Sequence, residues 1–198
     1  SASAPMPPQL IDAMEAAFHA PFIEAYGMTE AAPQIASNRP PPAIRRRGSV
    51  GQAAGNEVAI RDGEVVVRGP SIMAAYERND AANREQFADG WFRTGDLGRL
   101  DEDGYLYITG RLKDIINRGG EKIAPREVEE LLLEHPSVHE AVVFPMPDER
   151  LGEDVAAAVV ARGAAPSERE LKALVATRLA DFKVPRRIVF VDALPQEI

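Results

Sequence analysis

The spacing of apolar side chains changes character twice along the chain. Over residues 9–19, Leu10, Ile11, Met14 and Phe18 share one helical stripe, and Pro21 stops that helix ahead of a short extended run over 22–26. Residues 27–48 hold too many polar residues and prolines for a regular element. Pro40, Pro41 and Pro42 precede Arg45, Arg46 and Arg47, so the segment reads as a loop with a stiff proline patch. From Gly48 to Tyr107 the period drops to two. Strands over 57–60 and 64–68 are joined across Asp62-Gly63, a strong hairpin pair, and residues 80–87 make a short helix. Asp103-Gly104 turns a second hairpin between 96–100 and 105–109.

After Gly110 the pattern predicts a short strand around Ile115 and Ile116, a helix over 125–134, strands over 138–144 and 155–161, a second helix and a last strand over 188–191. Pro125 suits the first helical position, where its missing N–H costs nothing. Ser167 with Glu170 forms a capping box, and Leu171, Leu174, Val175 and Leu179 give the second helix its buried stripe. Two βαβ halves follow. The expected class is therefore α/β and α+β: the end of an α/β subdomain over 1–47, a β-rich distorted barrel over 48–110, and a small α+β domain with two helices on a sheet over 111–198.

Composition narrows the function classes. Hydrophobic residues at 45% and charged residues at 27% are ordinary for a globular protein. A formal charge of −8, from 23 Lys and Arg against 31 Asp and Glu, argues against a nucleic-acid partner. No cysteine is present, which excludes a disulfide scaffold or a thiol nucleophile and suits a cytoplasmic setting. The longest apolar run, over 155–161, is far below the ~20 residues that cross a bilayer, so no membrane partner is expected. The first residues show no secretory leader, and the lack of an initiating Met suggests a cut or processed chain.

Three segments carry candidate chemistry. In Tyr26-Gly27-Met28-Thr29-Glu30 a hydroxyl and a carboxylate follow a strand, an arrangement suited to a phosphate and its Mg²⁺ or, more simply, to a turn. In Trp91-Phe92-Arg93-Thr94-Gly95-Asp96-Leu97-Gly98 a carboxylate flanked by glycines can accept two vicinal hydroxyls, or close an Asx-turn. Residues 109–114 and 117–123 place basic residues and Gly119-Gly120 where a hinge or a charged linker would lie. Arg45, Arg46 and Arg47 either grip an anion or form a solvated basic loop. His19, His135 and His139 lack metal-ligand spacing, and no Gly-x-Ser-x-Gly or Walker loop occurs.

In this order the segments resemble the acyl- and aryl-CoA synthetases of the adenylate-forming superfamily. The likeness takes in Ser3-Ala4-Pro5, residues 26–30, 63–76, 91–98 and 110–123, Glu127 and Glu129, and Phe182-Lys183-Val184-Pro185 leading to Leu194-Pro195. The resemblance implies that Ala4, Pro5 and Tyr26 line an adenine, Thr29 contacts the α-phosphate and Glu30 ligates Mg²⁺. It implies further that Asp96 and Arg111 hold the ribose hydroxyls. Lys113 becomes the hinge of a mobile C-terminal domain, and Gly119 and Gly120 a passage for the pantetheine arm of coenzyme A. Thr29, Glu30 and Lys113 are the implied catalytic set, and ATP or AMP, Mg²⁺ and coenzyme A the implied ligands.

The family's Ser/Thr/Gly-rich phosphate loop, which lies ahead of these segments, and its Gly-Lys turn after the last Leu-Pro do not occur in the sequence. The expectation is thus the C-terminal part of a carboxylate:CoA ligase, inactive without the N-terminal part of the same enzyme; a naturally truncated nucleotide- or partner-binding protein is the alternative. Residues 29–38 and 48–52 look like the oxalate:CoA ligase branch, which implies a small polar carboxylic acid, although Pro33 stands where that branch has a His.

Overall fold

A computed structural model describes residues 8–194 of the chain, which divides into two units, residues 1–109 and 110–198. In the first unit, helix α1 (Pro8–Phe18) forms where the stripe predicts it. Ile11 is buried on that stripe, whereas Leu10 and Phe18 are exposed. Strand β1 (Ala25–Gly27), a 3-10 turn (Thr29–Ala31), β2 (Gln34–Ser37) and β3 (Gln52–Ala53) follow, and the three strands form a sheet in the order β1-β2-β3. The segment expected to be all loop therefore contains a strand. Ile35 and Ala36 of β2 are both fully buried, so a strand this short shows no alternation from which to infer it.

Arg45 and Arg46 are half-buried and Arg47 is exposed, and all three are paired with carboxylates of the chain. Arg45 pairs with Glu15 and donates to the Phe22 carbonyl at 2.9 Å, Arg46 pairs with Asp101 and Asp103, and Arg47 pairs with Asp12 and Glu15. The arginines tie their loop to α1 and to the Asp101–Asp103 turn. The cavity beside them, about 200 Å³, is lined by Arg45, Arg46, Arg47, Glu24 and Asn38 together with apolar residues.

The second sheet contains β4 (Glu57–Arg61), β5 (Glu64–Arg68), β6 (Phe87–Ala88) after helix α2 (Asp80–Gln86), β7 (Trp91–Leu100) and β8 (Leu106–Arg111). Its order is β4-β5-β7-β6, with β8 also on β7, and it curls into a half-barrel, as expected. Arg61 faces Glu64 across the first hairpin, and both turn residues, Asp62 and Gly63, have positive φ, as this tight turn demands. Val65, Val67, Phe92 and Leu106 join Ala31, Ile35 and Ala36 in one core, each large side chain contributing ~1.5–3 kcal/mol by burial.

The second unit holds β9 (Ile116–Arg118), β10 (Glu121–Ile123), α3 (Pro125–Leu133), β11 (Val138–Asp148), β12 (Gly152–Ala161), α4 (Glu168–Ala176) and β13 (Arg187–Phe190). Only the second expected βαβ half has adjacent parallel strands, β12 and β13. The first is split: β9 and β11 are both antiparallel to β12 and lie either side of it in the strand order. Val128, Leu131, Leu132, Leu171 and Val175 of the two helices pack on Val143, Val155, Val159 and Ile188 of the sheet. Ser167 caps α4 by accepting from the Glu170 N–H at 3.2 Å, but the Glu170 side chain turns to His135, so the capping box is half made.

Candidate nucleotide site

The turn after β1 is built by close backbone approach. A Cβ on Gly27 would lie 1.9 Å from the Pro33 oxygen, and Met28 N–H donates to that same oxygen at 2.7 Å. Only glycine admits the two strands this near. The result is a tight turn in which Thr29 is exposed and Glu30 half-buried, fixed from beneath by the fully buried Ala31. Glu30 is gripped twice by residues 73–76: its carbonyl accepts Met73 N–H at 2.8 Å and its Oε1 accepts the Tyr76 hydroxyl at 3.0 Å. Burial first, and this carboxylate second, push the Tyr76 phenol above its ordinary value.

Asp96 is presented by a bulge in β7. Val66 faces Arg93 and Glu64 faces Leu97, so Val65 opposes Thr94, Gly95 and Asp96 together, with Gly95 at φ 74°. The Thr94 hydroxyl donates to the Val65 carbonyl at 2.8 Å and accepts Asp96 N–H at 3.1 Å. Asp96 is buried, and its Oδ2 accepts the Tyr26 hydroxyl at 2.5 Å across seventy residues of sequence. The fold thus joins two of the sequence candidates, Tyr26 and Asp96, and sets Thr29 and Glu30 on the strand end that carries Tyr26.

Glu64 escaped the sequence reading as a site residue, because a glutamate after an Asp-Gly turn reads as a solvated strand end. It is instead 5% exposed, with the bulge wrapped over it. Tyr76 had only its place in the 63–76 segment to mark it.

In the second unit, Arg111 ends β8, and exposed Lys113 lies in a 3-10 turn (Leu112–Asp114) before β9. Gly119 and Gly120 form the turn of an unexpected hairpin in which Arg118 faces Glu121, with φ of 60° and 100°. Gly119 N–H donates to the Leu151 carbonyl at 2.9 Å, and Gly120 N–H to Asn117 Oδ1 at 3.1 Å. A Cβ on Gly120 would meet nothing within 4 Å, so its outer face is open. From below, Arg118 donates to the buried Asp154 at 2.6 Å. Lys183 reaches both oxygens of Glu127, at 2.8 and 2.7 Å, tying the start of α3 to the turn before β13. Ala4, Pro5 and Pro195 lie outside the described residues.

The donor set decides which metal could fit. Among the described residues no three His, Cys, Asp or Glu side chains cluster as a protein cage. A lone carboxylate, Glu30, beside the Thr29 hydroxyl suits Mg²⁺, which commonly takes one or two carboxylates and completes its shell with water and substrate phosphates.

Residues 1–77 match the family described as AMP-binding enzyme, and residues 127–198 match the AMP-binding enzyme C-terminal domain. An oxalate–CoA ligase of Arabidopsis thaliana is 44% identical over 99% of this chain and 41% of its own length. A sulfoacetate–CoA ligase of Cupriavidus necator is equally similar, at 44% over the same shares. Among solved structures, o-succinylbenzoate coenzyme A synthetase from Bacillus subtilis, in complex with ATP and magnesium ion, superposes with a TM-score of 0.83 at 36% identity, over 98% of this chain and 42% of that one. The chain spans about 41% of the length of the curated relatives it matches.

Proposed function

The chain belongs to the AMP-binding superfamily of adenylate-forming acyl-CoA ligases, and from that membership we propose that it forms part of an ATP-dependent carboxylate:CoA ligase. In the reaction a carboxylate oxygen attacks the α-phosphorus of ATP, pyrophosphate leaves with the bridging oxygen, and an acyl-adenylate results. The thiol of coenzyme A, on losing its proton, then attacks the acyl carbon, and AMP leaves.

The observation that carries the reading is the Tyr26–Asp96 hydrogen bond, which brings the strand-end turn and the bulged strand to one place. Asp96 holds the ribose hydroxyls, a carboxylate being able to accept both. Tyr26 lines the adenine, and the exposed Thr29 hydroxyl reaches the α-phosphate. Glu30, steadied by Tyr76, would hold Mg²⁺, which supplies positive charge to the phosphate oxygens. Residues 111–198 act as a mobile domain turning about Lys113, and the open Gly120 with Gly119 leaves a passage for the pantetheine arm. A small polar acid is the proposed substrate class, supported by oxalate and sulfoacetate ligases among the relatives. A cytoplasmic setting is proposed, since ATP and coenzyme A are both available there.

The test is exchange of labelled pyrophosphate into ATP by the protein expressed from the complete reading frame containing these residues, with a panel of acids. Exchange that depends on a small polar acid is expected. AMP binding without exchange under any acid would establish a non-catalytic nucleotide-binding protein instead.

A further inference from the structure

Glu64 is a carboxylate buried in a sheet, and its bonds are specific. Its Oε1 accepts Gly95 N–H at 3.0 Å, and its Oε2 accepts Arg93 Nε at 2.8 Å and lies 2.7 Å from an Arg93 terminal nitrogen. The bulge needs such a partner. Where Val65 opposes three residues, ladder bonding between the strands is interrupted, and a buried N–H without an acceptor costs ~1–3 kcal/mol. An ion pair with Arg93 alone would not call for burial, since that guanidinium is 45% exposed and such pairs contribute little. Oε1 of Glu64 therefore holds the backbone just after Thr94 and Oε2 holds the Arg93 side chain just before it, and Thr94 in turn holds Asp96 N–H.

We propose that Glu64 is a positioning residue for nucleotide recognition, fixing the β7 bulge so that Asp96 meets the ribose hydroxyls at the right angle. The proposal rests on the nucleotide reading above. It assigns Glu64 no contact with the ligand: its effect passes through Gly95 and Thr94 to Asp96.

Coupling is the test. Wild type, Glu64→Gln, Asp96→Ala and the double variant, each from the complete reading frame, are titrated calorimetrically with AMP and with 2′,3′-dideoxy-AMP. Glu64→Gln keeps the shape but sets an amide against Arg93. It should weaken AMP about tenfold, of the order of one charged hydrogen bond, leave the dideoxy analogue within twofold, and cost less than twofold where Asp96 is already Ala. Thr94→Val, which removes the hydroxyl that accepts Asp96 N–H, should repeat the pattern and serves if Glu64→Gln does not fold. Equal losses for both ligands, or in both backgrounds, would overturn the proposal in favour of a general structural role. If Asp96→Ala itself leaves AMP affinity unchanged, the ribose reading falls, and this proposal with it.

Discussion

Replacing Gly27 with alanine should damage both stability and the shape of the Thr29–Glu30 turn. The new Cβ would stand 1.9 Å from the Pro33 oxygen, 2.7 Å from its carbonyl carbon and 3.1 Å from Gln34 Cα, all backbone atoms of the paired segment. Real Cβ contacts essentially never fall below 3.0 Å, so the backbone must part by more than an ångström. That movement strains the fully buried Ala31 and Ile35 beneath and stretches the 2.7 Å bond from Met28 N–H. Overpacking costs ~1–3 kcal/mol and a spoiled hydrogen bond about 1 more, for a total of roughly 2–4 kcal/mol. For a chain of this size that lowers Tm by about 4–16 °C, read by differential scanning calorimetry. Gly110→Ala is the control: its Cβ would lie 3.4 Å from the Ala124 Cβ, a contact a small shift relieves, so Tm should move by no more than about 2 °C. A Gly27→Ala protein melting within 2 °C of wild type would refute the close-approach argument and with it the reason given for the shape of the Thr29–Glu30 turn.

Ser167→Ala removes the α4 cap and should cost about 1 kcal/mol in urea unfolding, with the slope unchanged. Burial raises the Glu129 carboxyl above its ordinary value, so the folded state holds that proton more tightly than the unfolded one. The stabilisation is complete below the unfolded value and is lost as pH rises through the folded one. Glu129→Gln, whose amide oxygen can still accept Val143 N–H, should therefore gain in Tm relative to wild type between pH 4 and pH 7; a constant difference would contradict the burial argument. Removing Mg²⁺ with EDTA should weaken ATP binding by wild type, and much less by Glu30→Gln; equal losses in the two proteins would place the metal elsewhere.

Local chemistry explains which parts of the fold could be read in the sequence. Asp62-Gly63 was legible because both turn residues must take positive φ, and α3 and α4 because their apolar stripes meet a single core. Strand β11 runs to Asp148, past the expected end at 144, because Pro145 and Pro147 look like terminators. Val143 N–H, two residues before Pro145, points away from β12 to Glu129, and positions 145 and 147 share that direction, so neither proline breaks a ladder bond. Gly119-Gly120 stood out as glycines, but the β9–β10 hairpin they turn did not, its strands being three residues each. At the candidate site, residue type marked Thr29, Glu30 and Asp96 as either ligand contacts or turn residues, and only the family resemblance gave these residues and Tyr26 nucleotide roles. The buried Glu64 carried no such mark, since its environment is made by a bulge on another strand.

The most direct test of the nucleotide site is the change in AMP affinity on converting Asp96 to alanine, measured calorimetrically on the protein from the complete reading frame, with pyrophosphate as a ligand lacking ribose and equal melting temperatures as the control. Each charged hydrogen bond is worth ~1.5–3 kcal/mol, so losing those to the ribose should weaken AMP at least tenfold while pyrophosphate binding holds. Unchanged AMP affinity would show that Asp96 shapes its turn and nothing more, and the ribose assignment would fall.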